Sequence, residues 1–166
     1  MTAVLVKREL SPVSSACTFP RSFDSLPAIF EFTADLFARQ RIDPQLLQVI
    51  DFAIEELFTN MVKYGKGSTA DVQIEITGIE GGVEVTLIDH DVEPFDVTKS
   101  PDVDIGLPIE ERKPGGLGLH LIRKLLDSIE YDYIRESRRS RITFRKTSAE
   151  RSGAVTAGTR GSNARD

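Results

Sequence analysis

Residues 46–65 read LLQVIDFAIEELFTNMVKYG, and this stretch decides the fold class. Its apolar residues recur every three or four positions, which is the period of one face of an α-helix. They are Leu46, Leu47, Ile50, Ala53, Ile54, Leu57, Phe58, Met61 and Val62. Asp43 and Pro44 are typical of a helix N-cap and first turn, and Gly65 and Gly67 indicate where the helix ends. The sequence therefore predicts a long helix with one strongly apolar face.

The segment before this long helix is predicted to form a shorter first helix. Ser22 and Asp24 are both good N-caps, and apolar residues recur at helical spacing up to about Arg39. A strand is possible further upstream, at residues 4–10. The chain thus places two helices in succession before any long strand.

Downstream of the long helix the apolar period changes to two. Residues 72–76 and 83–87 alternate apolar and polar side chains, and Gly81-Gly82 lies between them, which predicts a β-hairpin. The remaining expected elements are a long loop at residues 97–114, a helix ending near residue 126, and strands at residues 129–135 and 141–146. This order predicts an α+β, two-layer sandwich: a mixed, mainly antiparallel sheet with helices on one face.

Composition sets limits on the class of protein. The chain has 166 residues, 40% hydrophobic and 28% charged, which suits one soluble domain at residues 1–146. The last twenty residues, 147–166, hold no large apolar side chain, so we expect a disordered C-terminal tail. Cys17 is the only cysteine, and the sequence shows neither a signal-peptide core nor a run of apolar residues long enough for a membrane span. These features favour a cytoplasmic protein without a membrane partner.

The charge balance argues against direct binding of nucleic acid. The formal net charge is -5 at pH 7, whereas nucleic-acid-binding domains are usually basic. Residues 135–146 carry a basic run, but they hold a single aromatic residue, Phe144, and not the series of interleaved aromatics that stack on bases. Charged residues on an exposed strand also serve to block edge-to-edge pairing, which explains this run without a ligand.

Glu56 and Asn60 form the first candidate site. They lie four residues apart on the long helix, so their side chains share one face. A carboxylate there is suited to accept a proton from a hydroxyl, and an amide oxygen is suited to bind Mg²⁺. Taken alone, the pair also fits an ordinary solvated helix face.

A glycine-rich segment before the third helix is the second candidate site. Residues 115–119 read GGLGL. Glycines allow close approach of a ligand, and the free N–H groups at a helix start attract phosphate. No Gly-Lys-Ser/Thr follows and no strand leads directly into the segment, so it is neither a P-loop nor a dinucleotide fingerprint. A flexible turn before a helix is the alternative interpretation.

An acidic segment after the second strand of the hairpin is the third candidate. Residues 89–96 read DHDVEPFD. Its acidic side chains are suited to hold an amino group of a ligand or a metal ion. A turn closed by Pro94-Phe95 is the simpler interpretation of the segment taken alone.

The three candidate segments, in this order, resemble the ATP-binding domain shared by histidine kinases, DNA gyrase, the heat-shock chaperone and mismatch-repair ATPases. Within this histidine-kinase-like (GHKL) superfamily the chain is most similar to the bacterial anti-sigma-factor serine kinases, the RsbW-like group. The matching segments are AIEELFTNMVKYG at residues 53–65, EPFDV at 93–97, ERKPGGLGLHLIRKLLDSIEYDY at 111–133 and the last strand at 141–146.

The resemblance assigns roles to individual residues. It implies that Glu56 is the general base and that Asn60 is a ligand of Mg²⁺. It implies that Thr143 lies at a polar position near the adenine base, and that Arg112 and Lys113 lie over the phosphates. The phosphates themselves would be contacted by Gly115, Gly116, Leu117, Gly118 and Leu119.

The residue that would hold the adenine amino group stays open. The family usually shows Asp-x-Gly before the Pro-Phe pair. Counting back from Pro94 without gaps puts His90 at the Asp and Val92 at the Gly. A shift of one or two residues would give the role to Asp89 or Asp91 instead.

The resemblance implies an ATP- and Mg²⁺-dependent protein serine/threonine kinase that also acts as an anti-sigma factor. Its substrate would be an anti-sigma-factor antagonist of the STAS type, with a sigma factor as the competing partner and a homodimer as the usual assembly. The alternative is a non-catalytic partner-switching module that regulates by sequestration after nucleotide binding has weakened or been lost. A stand-alone ATPase is a third hypothesis, which is less favoured because nothing in the chain couples the hydrolysis.

Overall fold

The computed structural model describes residues 14–65, 67–99 and 116–148. Three α-helices lie in this part of the chain: α1 Leu26–Gln40, α2 Leu47–Tyr64 and α3 Leu117–Leu125. They are accompanied by five strands, which are β1 Ser14–Phe19, β2 Val72–Ile79, β3 Gly82–Asp89, β4 Ser128–Ile134 and β5 Arg139–Thr147. Short 3₁₀ turns, Phe23–Ser25 and Pro44–Leu46, precede α1 and α2.

Polar side chains start the first two helical segments, as their sequences predict. The side chain of Ser22 accepts a hydrogen bond from the backbone N–H of Asp24, and that of Asp43 accepts one from Gln45. These contacts satisfy N–H groups that lack partners at a helix start. Gly65 then caps the C-terminal end of α2.

The strands form one sheet in the order β1-β2-β3-β5-β4, and each of the four pairings is antiparallel. Because side chains alternate across a strand, one face of the sheet is apolar and the other is polar. The apolar face packs under the helices: its residues join those of α1, α2 and α3 in a single core. The sheet contributes Val72, Ile74, Ile76, Val83, Val85, Leu87, Ile142 and Phe144 to that core.

The predicted fold class is confirmed, with helices on one face of an antiparallel sheet. The strand β1 was missed, because SSACTF carries only one large apolar residue and shows no clear alternation. The possible strand at residues 4–10 lies outside the described residues. The predicted tail begins slightly too early: Thr147 closes β5 and the N–H of Ser148 donates to the carbonyl of Gly81, at 2.9 Å. Residues 149–166 lie outside the described part. Within the described ranges, no helix is long and apolar enough to cross a membrane.

Asp51 on α2 provides a test of the helix packing. Burial raises the pKa of this carboxyl from 3.8 to about 6, partly offset by a hydrogen bond with Thr33 of α1. A folded-state pKa above the unfolded value means that stability is lost as the pH rises from about 4 to 6. We expect Asp51→Asn to raise the free energy of unfolding by about 1 kcal/mol at pH 7.5, after discounting for partial exposure, and by much less at pH 4.5.

Urea unfolding at the two pH values measures this difference. Asp35→Asn is the matched control, because Asp35 on α1 is 62% exposed and pairs with Arg39 on the surface. A gain for Asp51→Asn that is equal at both pH values would contradict the assigned cause.

Candidate functional site

Glu56 and Gly118 lie against each other, although 62 residues separate them in the sequence. A Cβ atom built on Gly118 would lie 1.8 Å from Oε2 of Glu56. A side chain at position 118 would therefore require the Glu56 carboxylate to move away. The structure therefore brings together the first two candidate sites, the acidic face of α2 and the glycine-rich start of α3.

The start of α3 presents free backbone N–H groups beside that carboxylate. Gly116 is the N-cap, and the first helical bond runs from the N–H of His120 to the carbonyl of Gly116, at 3.1 Å. The N–H groups of Leu117, Gly118 and Leu119 precede it, so they have no acceptor within the helix. The Leu119 side chain is buried in the core, whereas that of Leu117 is 46% exposed. Any contact of these two residues with an anion would therefore come from the backbone.

Asn60 lies one turn after Glu56 and lines a cleft between α2 and the ends of β3 and β5. Its side chain is buried, with 7% exposure, and its Nδ2 makes no hydrogen bond within the described residues. A buried amide without a partner is costly unless a ligand completes its bonding. The cleft is lined by Leu57, Asn60, Met61, Tyr64, Gly65, Asp89, Val92, Glu93, Phe95, Val97, Ser140 and Ile142.

Asp89 occupies the far end of the cleft, as the last residue of β3. It is buried, at 3% exposure, and its carboxylate pairs with Arg21. Asp91 has a positive φ of 55°, a conformation that favours glycine and that Asp tolerates better than most residues. This pattern favours the register in which Asp89 takes the aspartate position of the family's Asp-x-Gly motif and Asp91 takes the glycine position.

Counting back from Pro94 without gaps assigns His90 to the aspartate position and Val92 to the glycine position. The structure does not support this register. The side chain of His90 is absent from the described lining of the cleft, and its carbonyl accepts a hydrogen bond from Ser68 Oγ at 2.7 Å. Val92 lines the cleft as a buried side chain at an ordinary φ. Asp91 is exposed and forms an ion pair with Arg138 at 3.0 Å. The extra residue between Asp89 and Pro94 causes the shift.

Thr143 does not line the cleft, contrary to the role that the family resemblance implies for it. It pairs with Thr86 across β3 and β5, their Oγ1 atoms 3.1 Å apart, on the polar face of the sheet. Its neighbours in β5, Ile142 and Phe144, point into the core on the other face. Alternation along the strand thus removes Thr143 from the cleft, and Ile142 lines it instead.

Two aromatic residues that were not predicted as site residues stand at the mouth of the cleft. The rings of Tyr64 and Phe95 are stacked, with centroids 5.7 Å apart, and both remain about half exposed. Tyr64 follows Asn60 by four residues on α2, so its helical position was readable from the sequence. Its contact with Phe95 was not, because that residue comes from a loop.

The loop that carries Phe95 is held by two tyrosines of β4. The hydroxyl of Tyr131 accepts from the N–H of Phe95, and that of Tyr133 donates to the carbonyl of Val92, both at 2.9 Å. Burial raises the pKa of Tyr131, so the hydroxyl keeps its proton. Arg123 of α3 holds the end of the loop, its Nε donating to the carbonyl of Val97 at 3.2 Å. Three of the predicted residues, Arg112, Lys113 and Gly115, lie outside the described residues.

Comparison with known proteins finds a matching family and a similar solved structure. The family described as "Histidine kinase-like ATPase domain" matches residues 19–146. Among solved structures, the chain is similar to the RsbU and RsbW domains of Rv1364c from Mycobacterium tuberculosis, with a TM-score of 0.56 and 13% sequence identity. The match covers 81% of this chain and 32% of that one, so it shows the fold alone. No curated protein matches the chain significantly.

Proposed function

Since this chain belongs to the histidine kinase-like ATPase domain family, we propose that it is a protein serine/threonine kinase that uses MgATP. The observation that carries the proposal is the packing of Gly118 against the carboxylate of Glu56. It puts a carboxylate that is suited to act as a general base beside the backbone N–H groups of a helix start, where phosphate is favoured. A module that only sequestered a partner would need neither group at this place.

A nucleotide lying along α2 would meet different chemistry at its two ends. The start of α3 at Gly118, beside Glu56, suits the phosphates, and the cleft lining at Asp89 suits the base. The carboxylate of Asp89 accepts hydrogen bonds, as the amino group of adenine requires. Tyr64 and Phe95 add aromatic surface at the mouth, where a base or ribose would pack.

Asn60 fits the role of a magnesium ligand between these ends. The Nδ2 of its buried amide lacks a hydrogen-bond partner within the described residues, and an amide flip would place Oδ1 at that position. Mg²⁺ takes oxygen ligands and, in nucleotide sites, shares its shell with phosphate oxygens. When bound, the ion neutralises phosphate charge and MgATP supplies the phosphoryl group.

Glu56 would act on the attacking hydroxyl of the protein substrate. The hydroxyl oxygen forms a bond to the γ-phosphorus, the bond from that phosphorus to ADP breaks, and the hydroxyl proton moves to Glu56. The N–H groups of Leu117, Gly118 and Leu119 would hold the phosphate oxygens, and the family resemblance adds Gly115 and Gly116 to this role. Positioning and charge neutralisation supply most of the rate in reactions of this class.

The acceptor in this proposal is a STAS-type antagonist of an anti-sigma factor, and a sigma factor is the competing partner. The family resemblance supports this choice, and the solved relative contains an RsbW domain next to an RsbU domain. Homodimerisation would follow the same resemblance. The direct test is incubation of the chain with Mg²⁺ and γ-labelled ATP, together with purified STAS proteins from the same organism. Label on a serine or threonine of one of them is expected; if none is labelled while ATP is bound, the kinase assignment is wrong.

Gly118→Ala tests the contact that carries the proposal. Alanine favours a helix over glycine, so the fold should be kept, but the new Cβ displaces the carboxylate of Glu56. We expect a thermal midpoint within a few degrees of wild type and label transfer reduced about tenfold or more. Leu125→Ala, at an exposed position at the end of α3, is the matched control and should transfer label normally. Wild-type transfer by Gly118→Ala would contradict the role of the contact.

Sequestration without catalysis is the second candidate function, and one observation favours it. Both carboxylate oxygens of Asp89 already accept hydrogen bonds from Arg21, so the group that would recognise the base is engaged within the protein. In this case the chain would bind its partner equally well with and without ATP. Partner binding measured under both conditions separates the two functions.

A further inference from the structure

A buried guanidinium lies behind the cleft, on the far side of Asp89. Arg21 follows β1, and its side chain is only 8% exposed. Its Nη1 donates to the carbonyl of Met61 at 2.9 Å and to Oδ2 of Asp89 at 3.2 Å. Its Nη2 pairs with Oδ1 of the same carboxylate and lies 3.4 Å from Ser68 Oγ. The guanidinium of Arg21 therefore binds both carboxylate oxygens of Asp89 in a bidentate, fork-like ion pair.

The surrounding backbone is shaped to admit this guanidinium. A Cβ atom on Gly65 would lie 2.4 Å from Nη1 of Arg21 and 2.6 Å from the carbonyl of Met61. A larger residue at the end of α2 would thus push the cation away from Asp89. Ser68 extends the contact, because its hydroxyl donates to the carbonyl of His90 at 2.7 Å. One cation ties together the end of α2, the segment after it and the end of β3.

The arrangement fixes the orientation of a carboxylate that lines the cleft. Asp89 is in the cleft lining, and Arg21 is not. The fork uses one lone pair on each oxygen of Asp89, and an ionised carboxylate has further lone pairs to offer. The paired carboxylate therefore faces a ligand as a pure acceptor of hydrogen bonds.

The geometry points to Arg21 as a positioning residue that makes Asp89 selective for a base with an exocyclic amino group over one with a carbonyl at that place. The inference rests on the proposed function, since it assumes that a nucleotide occupies the cleft. The amino group of adenine donates to Asp89. The carbonyl of hypoxanthine is itself a hydrogen-bond acceptor, and two acceptors that face each other are unfavourable in a buried site.

The experiment compares the affinities of ATP and ITP in the presence of Mg²⁺, by calorimetry. The two nucleotides share the ribose and the phosphates; ITP has a carbonyl in place of the amino group that would face Asp89, and a proton on the adjacent N1. Wild type is expected to prefer ATP by about tenfold or more. Asp89→Asn should bring the preference close to one, and Arg21→Met should do the same. The double variant should show no further change, because Arg21 acts through Asp89.

The matched control is Arg39→Met, which removes an arginine whose partner, Asp35, is a surface carboxylate. It should keep the wild-type preference. Arg21→Lys guards against a failure of Arg21→Met to fold, because it keeps the charge but loses the fork. Its preference for ATP should lie below that of wild type.

The outcomes separate this inference from the proposed function. If Arg21→Met, or Arg21→Lys in its place, weakens the binding of ATP and of ITP by the same factor, the preference for ATP is kept. Arg21 then has only a structural role, and the inference is wrong. Equal binding of ATP and ITP by wild type also overturns the inference, while the proposed function stands. Wild type that binds neither nucleotide overturns both.

Discussion

Glu56→Gln should abolish phosphoryl transfer and leave nucleotide binding nearly unchanged. The substitution keeps the size of the side chain beside Gly118 but removes the group that takes the hydroxyl proton. Loss of a general base costs about 10²- to 10⁴-fold in rate. Transfer is measured with γ-labelled ATP and the STAS protein that the wild type labels, and binding is measured by calorimetry on the same preparation.

Glu55→Gln is the matched control for this experiment. Glu55 is the neighbouring carboxylate on α2, near Asp51 rather than near Gly118. It should transfer label at the wild-type rate. If Glu56→Gln transfers label as fast as Glu55→Gln does, Glu56 is not the base and the mechanism fails.

Asn60→Ala should weaken the binding of ATP by at least about tenfold when Mg²⁺ is present. The expected reason is the loss of an oxygen ligand of the ion, so the loss should be smaller when the ion is removed with EDTA. Calorimetric titration with ATP under both conditions measures the difference. The fold should tolerate this variant, since within the described residues no hydrogen bond of the Asn60 Nδ2 is broken.

Gln48→Ala provides the corresponding control, because it removes an exposed amide from the same helix. Its affinity for ATP should match wild type with and without Mg²⁺. An equal loss for Asn60→Ala under both conditions would show that Asn60 contributes to the shape of the cleft and does not bind the ion.

Periodicity gave most of the fold, and the reasons are visible in single elements. The apolar positions of α2 and the alternation in β2 and β3 are strong signals because burial on one face imposes them. The strand β1 lacks such a signal, since as an edge strand it buries only Phe19 fully. Local sequence cannot show a strand that is defined mainly by its pairing with β2.

The candidate site was predictable where a motif lies within one element, and less so where it depends on register or on contacts between elements. Glu56 and Asn60 share a helix face, which the sequence shows directly. Thr143 failed because the face of a strand reverses with each residue, and only the pairing with Thr86 reveals it. The role of Arg21 was invisible, because a single arginine before α1 gives no hint of a carboxylate 68 residues away.

The central claim is that the cleft between α2 and the end of β3 binds MgATP. The most direct measurement is the thermal unfolding of wild type with and without MgATP. A ligand at about 100 times its dissociation constant stabilises a protein by about 2.7 kcal/mol, which corresponds to a rise of about 5 to 10 °C here. We predict such a rise, and we predict that it needs Mg²⁺. An unchanged midpoint at millimolar MgATP would contradict the claim.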